Sequence, residues 1–376
     1  MKKIKRNILL NPGPATTTDT VKYAQVVPDI CPREEEFQEV LDGIRTDLVK
    51  IVNGGDAYTS VLFGGSGTAG MEATLASVVA LDSQVLLLIN GAYGQRMLQI
   101  TETYDIQTVV YNVEWGAAID WPEVDTLCAG NPEIGYIAMV HHETTTGILN
   151  PLKPFFEIAQ KYNLISMVDT ISSYAGIPID LQETPVDFLM STSNKCIQGM
   201  AGLAFIICRN EALKRLKDVP GRTFYLNLYK QYEYFERTGQ MRFTPPVQVV
   251  YALRQAIDEY LEEGIQNRWE RYKTSYQALT DGLEEMGFRF LLGDDVEHSH
   301  ILMTIYEPDD PNYDFNELHD RLYERGFTIY PGKVSDKETF RLSVLGAIDP
   351  NDIREFLSNL REVLGEMNVE VKYTRF

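Results

Sequence analysis

From residue 58 to 209 the chain repeats one pattern: a short apolar run, a turn containing Gly, Asn or Ser, and then a longer mixed stretch. Apolar runs of strand length occupy residues 58–63, 85–89, 108–113, 136–141, 165–169, 188–191 and 203–208. So few polar positions within each run fit strands covered on both faces, which is the condition of a mostly parallel sheet between two helical layers. Helices are predicted in the intervals, most plainly over 67–79 and 151–162, the latter starting at Pro151 and placing Ile158 and Ala159 on an apolar face. The predicted class is therefore α/β, with a mostly parallel seven-stranded sheet.

Past residue 208 the pattern changes. Residues 211–240 are rich in Tyr, Arg and Lys without a clear strand, and read as a partly helical excursion over the surface or as a subunit interface. Pro245-Pro246 opens a helical stretch that runs to about residue 286 with a break at Gly264. The remainder reads β-β-α-β-β-α over 288–292, 300–306, 316–325, 327–330, 339–344 and 351–367, a small α+β unit with helices on one face of an antiparallel sheet. The expected division is an N-terminal segment over 1–20, a large domain over 21–265 and a small C-terminal domain over 266–376.

Composition removes several function classes. A chain of 376 residues with a formal charge of −20 lacks the basic face that nucleic-acid binding needs. No apolar run is long enough to span a bilayer, and the apolar stretch after the basic start is too short for a signal peptide. Cys31, Cys128, Cys196 and Cys208 are scattered without C-x-x-C spacing, which suits reduced thiols in a cytoplasm, and the five His form no ligand pattern, so no metal site is expected. An anionic cofactor or substrate must be drawn in by local cations and backbone N–H groups against the field of the whole chain.

Three features carry chemistry. Lys195 follows the apolar run 188–191 and precedes a turn, in Ser193-Asn-Lys-Cys-Ile-Gln-Gly199, where it is placed to bond covalently to an aldehyde cofactor. Asp169 ends a neighbouring buried strand, where a carboxylate can hold a pyridine nitrogen protonated. Phe63-Gly-Gly-Ser-Gly-Thr68 joins a strand to a helix and offers free N–H groups and the hydroxyls of Ser66 and Thr68 to a phosphate. Alone, such a Gly-rich turn is more often a tight connection, and a strand-end Asp is more often a cap. In the order phosphate loop, acid, lysine, on one alternating α/β unit, they point to pyridoxal 5'-phosphate (PLP).

The motifs Leu9-Leu-Asn-Pro-Gly-Pro14, Asn90-Gly-Ala-Tyr-Gly94, His141-His-Glu-Thr-Thr-Thr-Gly-Ile-Leu-Asn-Pro151, Ser193-Asn-Lys-Cys-Ile-Gln-Gly199 and Tyr330-Pro-Gly-Lys333 cover nearly the whole chain. Through them the sequence resembles the PLP-dependent transferases of fold type I, in the class V aminotransferase group. The segments 194–199 and 329–333 resemble more narrowly the members that act on 2-aminoethylphosphonate and pyruvate. The run Cys31-Pro-Arg-Glu-Glu-Glu-Phe37 departs from that pattern near the expected substrate entrance.

The resemblance implies transfer of the amino group of 2-aminoethylphosphonate to pyruvate, with an alanine or serine:glyoxylate transaminase as the alternative on the same fold. It implies that Lys195 holds PLP covalently, that Asp169 pairs with the ring nitrogen, and that Ser66, Gly67 and Thr68 hold the phosphate. Tyr93 and Ile171 would flank the ring. Thr144 or Thr145 would bond the ring hydroxyl, and Ser193 or Asn194 would reach the phosphate or the ring; for these residues a capping role is the alternative. Thr244 would reach the phosphate in a partner subunit, making a homodimer with composite sites. Arg341 would grip the substrate anion through its planar fork, beside the backbone of Pro12 and Gly13.

Overall fold

The computed structural model describes residues 4–332, 334 and 337–373. Lys333, the last residue of the motif beginning at Tyr330, lies outside them. The apolar runs form a seven-stranded sheet of β1 (Tyr58–Gly64), β2 (Gln84–Ile89), β3 (Thr108–Asn112), β4 (Ile134–Val140), β5 (Ile165–Asp169), β6 (Phe188–Thr192) and β7 (Leu203–Arg209). Their order across the sheet is β1-β7-β6-β5-β4-β2-β3, and only β7 runs against its neighbours. Burial follows the pattern that the apolar runs predict in the central strands, but the edge strand β3 has no buried residue and leaves Val110 41% exposed. Phe188, Leu189, Met190 and the segment from Leu203 to Cys208 are buried on both faces.

Helices pack on the two faces. Gly67–Val78 follows β1, Ala92–Thr103 follows β2, and Leu152–Lys161 precedes β5. Glu35–Ile51, a helix not foreseen from the sequence, packs Phe37, Leu41, Ile44 and Leu48 into the same core and lies against Val247–Glu263. The segment 211–240 contains no strand, and its main helix is Leu228–Thr238.

A second core gathers around β8 (Leu302–Tyr306), β9 (Tyr330–Pro331) and β10 (Thr339–Ser343), an antiparallel sheet ordered β8-β10-β9. The helices Ile265–Glu285, Phe315–Glu324 and Pro350–Glu366 pack against it. The strand expected over 288–292 reduces to one bridge, Phe290 with Ile305; only Phe288 of that run is buried, so little apolar surface fixes its register. The expected strand over 327–330 is divided. Phe327 and Thr328 pair in parallel with Ile8 and Leu9, while Tyr330 and Pro331 pair with β10. Ile8, Leu10 and Ala15 consequently belong to the C-terminal core, and Pro12 and Gly13, between them, lie against Lys195 in the turn after β6. No helix among the described residues is long and apolar enough to cross a membrane.

Candidate active site

Six of the seven strands share one direction, so the turns after β1, β2, β4, β5 and β6 leave the sheet on the same side, the carboxyl end where open α/β sheets hold ligands. Lys195 lies three residues past β6, held in its turn by hydrogen bonds from the Gln198 amide to the Lys195 carbonyl (2.8 Å) and from the Ala15 amide to the Asn194 carbonyl (2.9 Å). Its Nζ donates to the carbonyl of Pro12. Gly13 sits directly on this side chain, where a Cβ would fall 2.6 Å from Nζ, and its φ of +129° is a conformation that favours glycine. Burial lowers the pKa of Lys195 and Arg341 adds to this, while Tyr93, Cys196 and Asp169 oppose it.

Asp169 ends β5 with its Oδ1 accepting from the Ile171 amide at 2.7 Å. Burial, reinforced by the charge of Glu143, pushes its pKa from 3.8 to about 7; the Ile171 amide, Lys195 and Arg96 pull the other way. The raised value has a consequence for stability. In the cofactor-free protein the folded state binds this proton more tightly than the unfolded state. The contribution of Asp169 is therefore fully present below about pH 4 and is lost as pH rises through about 7. The Asp169→Asn protein is expected to lose that part of the pH dependence. Chemical denaturation of both cofactor-free proteins across this range checks it, and parallel curves would refute it.

Ser66 starts the helix Gly67–Val78 without a side-chain cap on its first turn, which leaves that helix end to an external anion. Gly67 and Ile171 are packed together so closely that a Cβ on Gly67 would lie 2.8 Å from Ile171 Cδ1. Tyr93, in the first turn of the helix Ala92–Thr103, has the guanidinium of Arg96 over its ring at 4.7 Å. Arg96 also donates to the Thr68 hydroxyl at 3.4 Å. Sequence reading passed over Arg96. The one signal for it was its place on the Tyr93 helix, three residues on, where the two side chains share a face.

Glu143, fully buried, organises the next turn. Its carboxyl accepts from the amides of Tyr93 (3.0 Å), Gly94 (3.2 Å) and Thr145 (3.0 Å) and from the Thr145 hydroxyl (2.6 Å). Burial pushes its pKa up and these donors oppose the rise. Gly91 makes room for it, since a Cβ there would lie 2.2 Å from Glu143 Cγ. The Thr145 hydroxyl also accepts from the Ala92 amide (3.0 Å), so its partners are those of a structural cap. Thr144 is buried beside it, and its carbonyl accepts from Arg341 Nη1 at 3.1 Å.

Arg341, in the middle of β10, is 0% exposed. The Pro331 carbonyl accepts from its Nε (3.2 Å) and Nη2 (3.1 Å), its side chain hydrogen-bonds Tyr93, and its guanidinium lies 5.2 Å from the centre of the Tyr330 ring. Burial lowers its pKa and the two tyrosines oppose this. Tyr93 therefore stands between two arginines, and Arg341 is not the sole cation near Lys195.

Other expected residues are placed differently. Ser193 is fully buried and donates to the carbonyls of Met200 and, at 3.3 Å, Leu203, clasping the turn that carries Lys195. Asn194 accepts from the Thr192 hydroxyl at 3.0 Å. Thr244 is exposed, two residues before Pro246, which lies against Gly64. Arg33, in the departing segment 31–37, donates to the carbonyls of Met241 (2.6 Å) and Arg242 (3.3 Å), so that segment braces the approach to Thr244.

A flat, phosphate-bearing cofactor with a basic ring nitrogen fits these residues. The uncapped helix end suits the phosphate, the buried carboxyl of Asp169 suits a protonated ring nitrogen, and Lys195 has its pKa lowered toward a nucleophilic amine.

Comparison with known proteins agrees with this arrangement. Residues 18–330 match the family model described as aminotransferase class-V. A 2-aminoethylphosphonate--pyruvate transaminase of Vibrio vulnificus (strain CMCP6) is 39% identical over 360 residues, covering 95% of this chain and 97% of its own. The protein of the same name from Salmonella paratyphi C (strain RKS4594) is 40% identical with the same coverage. Among solved structures, a ureidoglycine-glyoxylate aminotransferase from Bacillus subtilis superposes with a TM-score of 0.89 at 23% identity, covering 99% of this chain and 96% of its own. An alanine--glyoxylate aminotransferase from Nostoc sp. gives 0.88 at 25% identity, with 96% of each chain covered. With most of its length matched by the family model and by these relatives, the chain belongs to the class V aminotransferases, on the fold-type I architecture.

Proposed function

We propose that this chain is a PLP-dependent transaminase that moves the amino group of 2-aminoethylphosphonate to pyruvate, giving phosphonoacetaldehyde and L-alanine. The observation that carries the reading is the convergence of Lys195, Asp169 and Arg341 at one end of the sheet, with the Pro12-Gly13 loop lying on the lysine. The names of relatives at about 39% identity over 95% of the chain support the choice of substrates.

PLP, when bound, supplies an aldehyde that takes up the amino group and a ring that accepts electrons. Lys195 holds it covalently. The Lys195 amine, whose lowered pKa favours its neutral form, would take a proton from the substrate carbon that bears nitrogen. Asp169 keeps the ring nitrogen protonated. Ser66, Gly67 and Thr68 hold the phosphate with their amides and hydroxyls, aided by Arg96, while Tyr93 and Ile171 flank the ring. Thr144 would bond the ring hydroxyl, since Thr145 is taken by its cap on Glu143. Arg341 takes the phosphonate of the donor and the carboxylate of pyruvate in turn, oriented by Tyr93, Thr144 and Pro331.

A single-turnover comparison of donors tests the substrate assignment. 2-Aminoethylphosphonate is expected to convert the cofactor far faster than alanine, serine or taurine, and pyruvate to restore it faster than glyoxylate. Serine with glyoxylate as the best pair would replace the phosphonate reading and leave the PLP reading intact.

Thr244 would reach the phosphate site of the partner subunit, which would make the catalytic unit a homodimer; its exposure in the single chain and the bracing of its segment by Arg33 support this. Loss of a neutral hydrogen bond costs about 0.5 to 1.5 kcal/mol, so Thr244→Val is expected to weaken PLP retention without unfolding the chain. Sedimentation at assay concentration should find a dimer, and a fully active monomer would overturn the composite site. The cytoplasm is the proposed compartment, on the grounds of four unpaired cysteines.

A further inference from the structure

The turn that carries Lys195 is held from below by the C-terminal unit. Arg268, on the helix Ile265–Glu285, is 1% exposed, and a guanidinium so buried is costly unless its N–H groups are met. Its Nη1 donates to the carbonyl of Cys196, the residue after Lys195, at 3.0 Å. Its Nε pairs with Glu263 Oε2 at 2.7 Å, and its guanidinium lies 4.9 Å from the centre of the Tyr260 ring.

One turn further along the helix, Tyr272 is 0% exposed and its hydroxyl is a junction. It donates to the same Cys196 carbonyl (3.4 Å) and accepts from Gln198 Nε2 (2.8 Å) and from the Gly346 amide (3.1 Å). One donor and two lone pairs are thereby filled. Gly346 lies three residues past the end of β10, the strand of Arg341. Arg271 closes the circuit: it pairs with Glu263 (2.7 Å) and donates to the carbonyls of Gly346 and Ile348, both at 2.8 Å. None of these groups faces the cofactor cradle, and the chemistry proposed above uses none of them.

We propose that Arg268 and Tyr272 are positioning residues that clamp the Lys195 turn to the strand of Arg341, so that the C-terminal unit fixes the covalent lysine relative to the anion-binding arginine. This rests on the roles given above to Lys195 and Arg341. The clamp acts through the backbone of Cys196, and Cys196 itself, buried with its thiol donating to the Ser172 carbonyl at 3.3 Å, offers a probe of the turn.

The experiment compares the full chain with its Tyr272→Phe and Arg268→Lys variants. In the cofactor-free proteins, alkylation by iodoacetamide is followed at each cysteine by mass spectrometry. Loss of the clamp should open the turn locally and raise labelling of Cys196 about tenfold, while Cys128 and Cys208, buried in the large core, keep their rates. In the loaded proteins, the single-turnover rate constant at saturating 2-aminoethylphosphonate should fall about tenfold. The half-saturating concentration should stay unchanged, since Thr144 and Pro331 still hold Arg341. Equal acceleration at Cys128 and Cys208 would show general loosening and overturn the clamp. So would a higher half-saturating concentration at an unchanged rate constant, or no effect of either substitution. Should Tyr272→Phe fail to fold, Arg268→Lys decides alone. Borohydride trapping separates the underlying reading: a label away from Lys195 refutes the active-site assignment, while the cysteine measurement still judges the clamp.

Discussion

Replacing Lys195 by alanine is expected to abolish covalent PLP and reduce turnover to a trace. The position contributes the covalent attachment and also the proton transfer, and a positioned acid–base group alone contributes about 10²- to 10⁴-fold. The native protein should absorb in the visible region, lose that band on borohydride reduction, and yield a labelled peptide containing Lys195. The Lys195→Ala protein should show no such label while keeping the native melting transition, because the backbone hydrogen bonds that hold its turn, from the Gln198 and Ala15 amides, do not involve the side chain. A label on Lys153, or turnover within tenfold of the native value, would overturn the assignment.

Arg341→Lys is expected to impair both half-reactions by about ten- to a hundredfold in kcat/KM, the equivalent of one charge-assisted contact of about 1.5 to 3 kcal/mol. The geometry gives the reason. The guanidinium is braced on the carbonyls of Thr144 and Pro331 and on Tyr93, so its fork has a fixed plane in which to meet phosphonate or carboxylate oxygens. A lysine keeps the charge but cannot reach both carbonyls and a ligand. Separate measurement of reduction by 2-aminoethylphosphonate and reoxidation by pyruvate distinguishes a shared anion site from one used by a single substrate. If Arg341→Lys leaves both steps unchanged while Arg96→Gln slows them, the anion site belongs to Arg96, the other cation against Tyr93.

The placement of the candidate site residues at the carboxyl end of the sheet is local in sequence and was legible there. Lys195, Asp169 and the Ser66–Thr68 turn each sit within a few residues of the end of a fully apolar run, and such runs declare themselves because both faces are covered. The break at Gly264 and the helix start after Pro246 were legible for a similar reason, since backbone chemistry acts at the residue itself. The hydroxyl residues were less so. Whether Thr144 or Thr145, Ser193 or Asn194, faces a ligand depends on which nearby backbone groups claim each hydroxyl. Glu143 claims Thr145, and the Met200 carbonyl claims Ser193.

By itself the sequence determined the α/β class, the succession of strands and the residue types at their ends, because hydrophobic periodicity, Gly and Pro act over a few positions. Only the tertiary structure decided the strand order, with β7 reversed between β1 and β6, and the reduction of 288–292 to one bridge. It alone joined Ile8 and Leu9 to Phe327 and Thr328, laid Pro12 on Lys195 across 183 residues of chain, and set Arg268 and Tyr272 beneath that turn. These contacts pair residues far apart in the chain, and each is selected by the burial and hydrogen-bond satisfaction of the whole packed molecule. No local pattern records that selection, since an arginine or tyrosine on an amphipathic helix has the same sequence signature whether it meets water or the peptide carbonyl beside Lys195.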